Sequence, residues 1–435
     1  MLLLSYLYQK ECERGFSRIL GPEDTAQITT ATKRGASNFM LCGIKNGMGY
    51  ITNINIPDMT FSFNAGISTV DLTLSDIKIA DVQVPSVEFD LNNPIQSQMS
   101  LLNCSLIIKF QWKIQQQSYP YIPDQGSGRF NVVNGELKAI VNSTTNIDDC
   151  PGHMILNFIR AEVDYESLLI ILDGGDSWLF QSIINLLLSE LEDIVVGSLS
   201  NILLKAFIGL INDVFEDGHR LNEYPEHNQV LKDERYTSGI YTSSEGFVSL
   251  RFSGYVYHRN NLQDEYITSN KLSNFTYNKF NSDMQVVIHE AAVNNAFYIF
   301  HKYENVYSGQ NFQVLETPYI TIGNVAGIFH IKVQANNSVA NLKLLAQLVH
   351  VDDKQTNRCQ VFFKFDKYEV FSEDQTLNLD KLEQEVVEHL NKVIKFSSYQ
   401  LNYSPNVDMN NYVHLYDAAE HVIRLVGPEQ YVCPW

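Results

Sequence analysis

The stretch "SWLFQSIINLLLSELEDIVVGSLSNILLKAFIGLIN", Ser177–Asn212, is the most apolar in the chain, and its reading decides the fold. Between Ile194 and Ile211 it runs for 18 residues with one formal charge, Lys205. That is the length at which a transmembrane helix becomes a candidate. Large apolar residues in this window favour insertion by ~3–7 kcal/mol, and Lys205 with Asn201 costs about as much. The helical wheel breaks the tie. Gln181, Asn185, Ser189 and Glu192 fall within about 80° of one another, whereas Ser198, Asn201, Lys205 and Asn212 fall within about 60° on the opposite side. A lipid-exposed span is apolar around its whole circumference. Each half of this segment is instead amphipathic, with the polar side changing over near Gly197. The segment reads as a water-soluble helix about 55–60 Å long, bent midway and laid along a curved sheet, with no transmembrane span.

The sequence leading into the helix is written in strands. Val70, Leu72 and Leu74 alternate with polar residues, and the phase slips at Ser75-Asp76. Ile77 and Ile79 resume it before further slips ahead of Val82 and Val84, and at Pro85-Ser86 ahead of Val87, Phe89 and Leu91. Period-two runs with repeated slips predict long strands bent by bulges, which is how a sheet curls. "SLLNCSLIIKFQWKI" (100–114) and "GSGRFNVVNGELKAIVNST" (126–144), with Pro120, Pro123 and Gly126 at the connection, predict a long antiparallel hairpin. One more strand is expected over Met154–Leu172, after which "DGGDS" (173–177) supplies a turn and a helix cap.

Residues 216–240 are polar and poor in large apolar side chains, and mark a boundary between halves. The second half repeats the style of the first. Strand-like runs occur at 246–258, 283–303, 318–335, 339–352 and 358–371. A helix at about 379–396 puts Leu379, Leu382, Val386, Leu390, Val393 and Ile394 on one face. A final strand is expected over 411–426. The expected organisation is an N-terminal segment, 1–24, read as a partial signal peptide; a first domain, 25–220; a linker, 221–240; and a second domain, 241–435.

The chain has 435 residues, is 45% hydrophobic and carries a formal charge of −19 spread through both halves, so it can bury a large core. An evenly acidic surface lacks the positive potential that nucleic acid requires. Six cysteines, Cys12, Cys42, Cys104, Cys150, Cys359 and Cys433, are widely separated without a CxxC pair, and could form up to three disulfides or none. Sequons at Asn103, Asn142, Asn274, Asn336 and Asn402 are glycosylation candidates in a chain rich in Asn, Ser and Thr. No GxSxG, GxxxxGK[ST] or GxGxxG motif occurs. His289-Glu290 opens "HEAAV", but Val293 stands where a zinc-binding histidine is needed, so the pair reads as strand residues. No catalytic residue, metal site or cofactor is expected, and the chain is read as a non-enzyme.

Curved strands followed by a long amphipathic helix, twice over, resemble the family of bactericidal/permeability-increasing protein, lipopolysaccharide-binding protein, and the phospholipid and cholesteryl-ester transfer proteins. In the first half the resemblance rests on "INIPD" (54–58), on "SLLNCSLIIKFQWKI" with Trp112 in the family's tryptophan position, on "GRFNVVNGELKA" (128–139), on Cys150, and on Trp178-Leu179. In the second half it rests on "MQVVIHEAAVNNAFYIFHKYENVY" (284–307) and "VHLYDAAEHVIRLV" (413–426).

The resemblance implies an α+β fold: a boomerang of two tandem pseudo-symmetric units, each a strongly curved antiparallel barrel-like sheet with a long amphipathic helix, joined by a central sheet. It implies a secreted glycoprotein that binds phospholipid or a similar two-tailed lipid and transfers it through transient membrane or lipid-particle contact. Trp178, Ile183, Leu187, Leu191, Ile194, Ile202 and Phe207 are the expected lipid-lining residues. Two departures matter. The family's disulfide pairs a cysteine at the position of Cys150 with one in the long helix, which here has none, so the partner of Cys150 is open. The endotoxin-binding members cluster Lys and Arg at the hairpin tip after the tryptophan, where this chain has "WKIQQQSYPYIPDQG" (112–126). A tip with one cation cannot neutralise the phosphates of lipid A. The alternative, an innate-immune factor binding lipopolysaccharide, is disfavoured on that ground.

Overall fold

The computed structural model describes residues 20–53, 56–64, 69–90, 97–118, 123–145, 152–175, 201, 204–205, 208–209, 211–212, 221–224, 227–243, 246–262, 280–353, 358–393, 399–401 and 412–430. They fall into two compact units, one of Ala36–Ser143 with Leu156–Val214, the other of Met1–Gly35, Thr144–Ile155 and Phe215–Trp435. The class is α+β, dominated by antiparallel sheet with few helices among the described residues.

The chain opens with β1 (Gln27–Thr32) and α1 (Lys33–Ile51). Then come β2 (Met59–Asn64), β3 (Thr69–Gln83), β4 (Ser86–Asp90), β5 (Ser97–Gln116), β6 (Pro123–Thr144) and β7 (Ile155–Asp173). Strands β2-β3-β5-β6-β7 form one antiparallel sheet, to which β4 adds on β5. The predicted phase slips are register shifts between Ser75 and Lys78 and between Ile79 and Asp81, with Asp76 at φ 48°. Pro85, which has no N–H for the ladder, separates β3 from β4. A second set of shifts lies across the β5–β6 hairpin around Cys104, with Asn103 at φ 56° and Asn134 at φ 51°. Asn tolerates the left-handed region, so these bulges bend the sheet at low cost.

The other unit holds β8 (Leu221–Tyr224), β9 (His227–Asp233), β10 (Tyr241–Thr242), β11 (Phe247–Phe252), β12 (Val256–His258), β13 (Met284–His289) and α2 (Glu290–Ile299). It continues with β14 (Gln313–Val314), β15 (Tyr319–Ile322), β16 (Gly327–Ala335), β17 (Ser338–Asp353), β18 (Arg358–Ser372) and α3 (Leu379–Val393). Strands β19 (Tyr399–Leu401), β20 (Val413–Asp417) and β21 (Val422–Val426) complete it. Its sheets are β10-β11-β1-β13-β21-β20, β12-β9-β8, and β14-β16-β17-β18-β19 with β15 on β16. Strand β1, from the start of the chain, is thus inserted between β11 and β13, and Ile28 packs with Val287 and Val422. Leu382, Val386 and Leu390 of α3 are buried, as the helical period predicts.

Two expectations need correction. The strand-like run 283–303 is a strand only to His289; Glu290–Ile299 is helical. Ala291, Ala292, Val293, Asn294, Asn295, Phe297 and Ile299 are all buried, so the helix is enclosed on nearly every side and shows no amphipathic period. The closing strand is a hairpin, β20 and β21, turned through His421 at φ 56°. In the stretch between the halves, residues 230–237 are all buried. Its charges neutralise one another, Asp233 receiving the Arg235 guanidinium at 2.9 Å through both Nε and Nη2 and Lys232 pairing with Glu234.

Bent strands outrun their partners, and the exposed ladder groups are met by helix side chains. Asn391 of α3 accepts from the Phe365 N–H and donates to the Phe365 carbonyl, both at 2.8 Å. Asn294 of α2 treats Ile320 of β15 in the same way, at 2.7 and 3.0 Å. Asn212 does so with Leu156 of β7, at 2.8 and 3.1 Å. Replacing Asn391 by Leu keeps the branched heavy-atom outline but leaves a buried N–H and C=O unpaired, each costing about 1–3 kcal/mol. We expect Asn391→Leu to lower the unfolding free energy in urea by about 3 kcal/mol, against less than about 0.5 for the exposed Asn341→Ala.

Candidate functional site

In the sheet of β2–β7, alternation along β5 gives one face a continuous apolar lining. Ile108, Phe110, Trp112 and Ile114 are buried, while Lys109, Gln111, Lys113 and Gln115 between them are exposed. Strand β3 adds Leu72 and Leu74 to the buried set, β6 adds Phe130, and β7 adds Ile170 and Leu172. Phe110 and Phe130 meet in a tilted contact with ring centroids 4.4 Å apart.

Toward the β5–β6 connection this face is built on a pairing of aromatic rings with glycines. Trp112 lies opposite Gly126 and Phe110 opposite Gly128. A Cβ at Gly126 would come 2.8 Å from the Trp112 ring, and one at Gly128 would come 2.6 Å from the Phe110 ring. The indole N–H donates to the Ser127 carbonyl at 2.8 Å, so the one polar atom of Trp112 is satisfied. "GSG" is therefore the floor on which the two rings lie. Gly174, at φ 90°, and Gly175, at φ 57°, form the expected turn after β7.

Of the long helix, the described turns confirm amphipathicity over its last part. Leu204 and Ile208, four residues apart, are buried, and Asn201 and Lys205 are exposed. Asn212, grouped with that polar stripe by the wheel, turns inward to hold Leu156 of β7. Trp178, Ile183, Leu187, Leu191, Ile194, Ile202 and Phe207 lie outside the described residues, as do Cys150 and the change of face near Gly197. Among the sequons, Asn103 and Asn336 are exposed and Asn142 is half-buried in β6, while Asn274 and Asn402 lie outside the described residues.

The "HE" pair serves the fold. The His289 Nδ1 accepts the Ala291 N–H at 3.0 Å and caps α2. Glu290 accepts the Ile322 N–H at 3.2 Å and faces the His421 Nδ1 at 3.1 Å. Among the described residues no group of three His, Cys, Asp or Glu side chains is placed to hold a metal ion. Cys42 is disulfide-bonded. Cys104 is a free thiol that burial pushes up to about 12, so it is not a nucleophile at neutral pH. Burial likewise raises the Tyr224 and Tyr307 hydroxyls, which stay protonated.

The described residues thus form a curled antiparallel sheet with one apolar face and an amphipathic helix clamped to its edge strand. No protein-family model and no curated protein matches the sequence. Among solved structures, the chain is similar to lipopolysaccharide-binding protein at a TM-score of 0.57 and 10% identity, over 93% of this chain and 98% of that one. Takeout 1 of Epiphyas postvittana aligns over 42% of this chain and 90% of its own at 12% identity, with a TM-score of 0.27 too low to carry weight. The chain has the fold of the bactericidal/permeability-increasing and lipopolysaccharide-binding proteins. No helix among the described residues is long and apolar enough to cross a membrane.

Two measurements check this account. Gly126→Ala drives a methyl into the Trp112 ring and the Asp173 carbonyl, and we expect a loss of about 3 kcal/mol in urea unfolding with a shifted Trp emission. Burial, and then the neighbouring His421, hold His289 neutral down to about 4, whereas unfolded it protonates near its ordinary 6.5. The folded state therefore has its full stability above pH 6.5 and loses it as pH falls toward 4, by at most about 3 kcal/mol. His289→Asn, which keeps a capping oxygen, is expected to lose less stability than the wild type between pH 7 and 4.5.

Proposed function

We propose that this protein binds a lipid with apolar tails, phospholipid or a similar two-tailed species, and acts as a carrier rather than an enzyme. The observation that carries the reading is the apolar face of the β2–β7 sheet, whose strand β7 is clamped to the long helix by Asn212. A site for acyl chains needs a long aliphatic and aromatic wall with few polar groups. The likeness of fold to lipopolysaccharide-binding protein supports the assignment. The long helix supplies the second wall, through Trp178, Ile183, Leu187, Leu191, Ile194, Ile202 and Phe207. The boomerang arrangement of two pseudo-symmetric units, with the boundaries given above, belongs to the same proposal, as does transfer through transient membrane contact.

The Cys42 disulfide fits an oxidising compartment, so the protein is assigned to the secretory lumen or the extracellular space. The net charge of −19 favours neutral or zwitterionic headgroups over anionic ones. Lipopolysaccharide recognition would need the cationic tip that residues 112–126 lack.

Protein secreted from animal cells and purified without detergent is expected to carry phospholipid in native mass spectrometry. Leu187→Asp and Ile202→Asp are each expected to cut the bound fraction at least tenfold with the fold retained. A protein that is empty as purified and takes up nothing from phosphatidylcholine vesicles would overturn the reading. Binding to lipopolysaccharide that exceeds binding to phosphatidylcholine and weakens with salt would replace it with the immune one.

A further inference from the structure

The strongest unexplained surface feature lies on the outer face of the β16–β18 sheet. Phe371 is 60% exposed and Val339 39% exposed, whereas their strand neighbours Ala340 and Leu342 are fully buried. Phe371 stands opposite Asn341, and the Val339 carbonyl accepts from the Ser372 hydroxyl at 2.7 Å, so the two apolar side chains share one corner of the sheet. Together they form a small exposed apolar patch, which a neighbouring group could cover. At that corner the two-residue turn Asn336-Asn337 joins β16 to β17, directly preceding Ser338.

We propose that Asn336 carries an N-linked glycan and that its sugar covers Phe371 and Val339. Asn336-Asn337-Ser338 is a sequon, and Asn336 and Asn337 have φ of 49° and 66°, the left-handed pair of a type I′ hairpin turn. Both residues are exposed, and a sugar at this tip disturbs no ladder bond. The other described sequons are built differently. The Asn142 side-chain oxygen is buried within β6, so a glycan there conflicts with the folded sheet. Asn103 lines a hollow of about 280 Å³ with Asn134, Glu136, Asp164 and Glu166, and the middle residue of its sequon, Cys104, is buried.

In the transfer, the Asn336 amide nitrogen attacks C1 of an oligosaccharide carried on a polyprenyl diphosphate. The N–C bond forms, the C1–O bond to phosphate breaks with its electron pair leaving on the diphosphate, and the amide gives up one proton. The Ser338 hydroxyl, which the reaction needs free, is bonded to Asp374 once folded. Transfer therefore precedes the closing of residues 372–374 onto β17.

The inference rests on the secretory assignment and is independent of which lipid is bound. Chain secreted from animal cells would be mapped by peptide mass spectrometry with and without peptide-N-glycosidase. A glycan on the Asn336 peptide and none at Asn103 or Asn142 is expected, and Asn336→Gln removes that mass. Native deglycosylation is then expected to raise self-association at least severalfold, and Phe371→Ser to abolish that rise. Secreted protein with bare Asn336 overturns the proposal and leaves lipid binding standing, and a glycan whose removal changes nothing overturns the covering role. Chain retained in the cell with every sequon bare overturns the secretory assignment and this proposal together. A glycan on Asn336 of a protein that binds no lipid would leave this inference in place and sink the carrier reading.

Discussion

A strand that bends away from its neighbours exposes main-chain N–H and C=O groups, and inside a protein those groups must be paired. Among the described residues this constraint is met at several places where a sheet meets a helix or a second sheet. A carboxamide is the one uncharged side-chain group that carries a donor and an acceptor side by side, as the missing strand would. Asn212, Asn294 and Asn391 each use both atoms on a single strand residue, Leu156, Ile320 and Phe365. Asn295 closes the N–H of Val256, and Tyr416 with His414 closes Leu348, where β17 has run past β16. Helices are thus fastened at defined points along strands rather than resting on them through apolar contact alone.

Curvature and function are linked through the same strands. Bulges at Asp76, Asn103 and Asn134 bend the β2–β7 sheet. On the apolar face, glycines 126 and 128 let Trp112 and Phe110 lie flat against the backbone instead of crowding outward. A face lined this way presents ring planes and aliphatic branches with the indole N–H already spent on Ser127. Such a lining is apolar throughout, which is the property the proposed carrier role needs. In the other unit the interior is occupied by its own side chains, with Phe297, Phe329 and Phe365 in edge and tilted contacts of 5.0 and 4.7 Å.

Charge sorts the functional readings that the fold leaves open. Lys232, Asp233, Glu234 and Arg235 are buried and pair among themselves, so they contribute packing and geometry rather than an external field. Over the whole chain acidic residues outnumber basic ones by 50 to 31, a balance that repels phosphate-rich surfaces. The fold is shared with a protein named for lipopolysaccharide, while the acidic balance of this chain disfavours an anionic ligand in the proposed reading.

Much of the architecture is legible in the sequence because one-sided burial leaves a period. The alternation of "IIKFQWKI" and its partner strand, the slips at Ser75-Asp76 and Pro85, and the four-residue spacing of Leu382, Val386 and Leu390 all survive in the structure. Leu204 and Ile208 buried beside exposed Asn201 and Lys205 likewise follow from the wheel. Helix α2 did not show itself, because burial on all sides erases the period. The pairing of the buried charges at 232–235 left no mark in the sequence, because polarity alone does not reveal a neighbour's opposite charge. Insertion of β1 between β11 and β13, the seat of Trp112 on Gly126, and the choice of Asn212, Asn294 and Asn391 as clamps were decided only by tertiary structure. Each depends on residues far apart in the chain whose pairing no local pattern records, whereas the apolar walls and the bends that curl them are local properties that the sequence determines by itself.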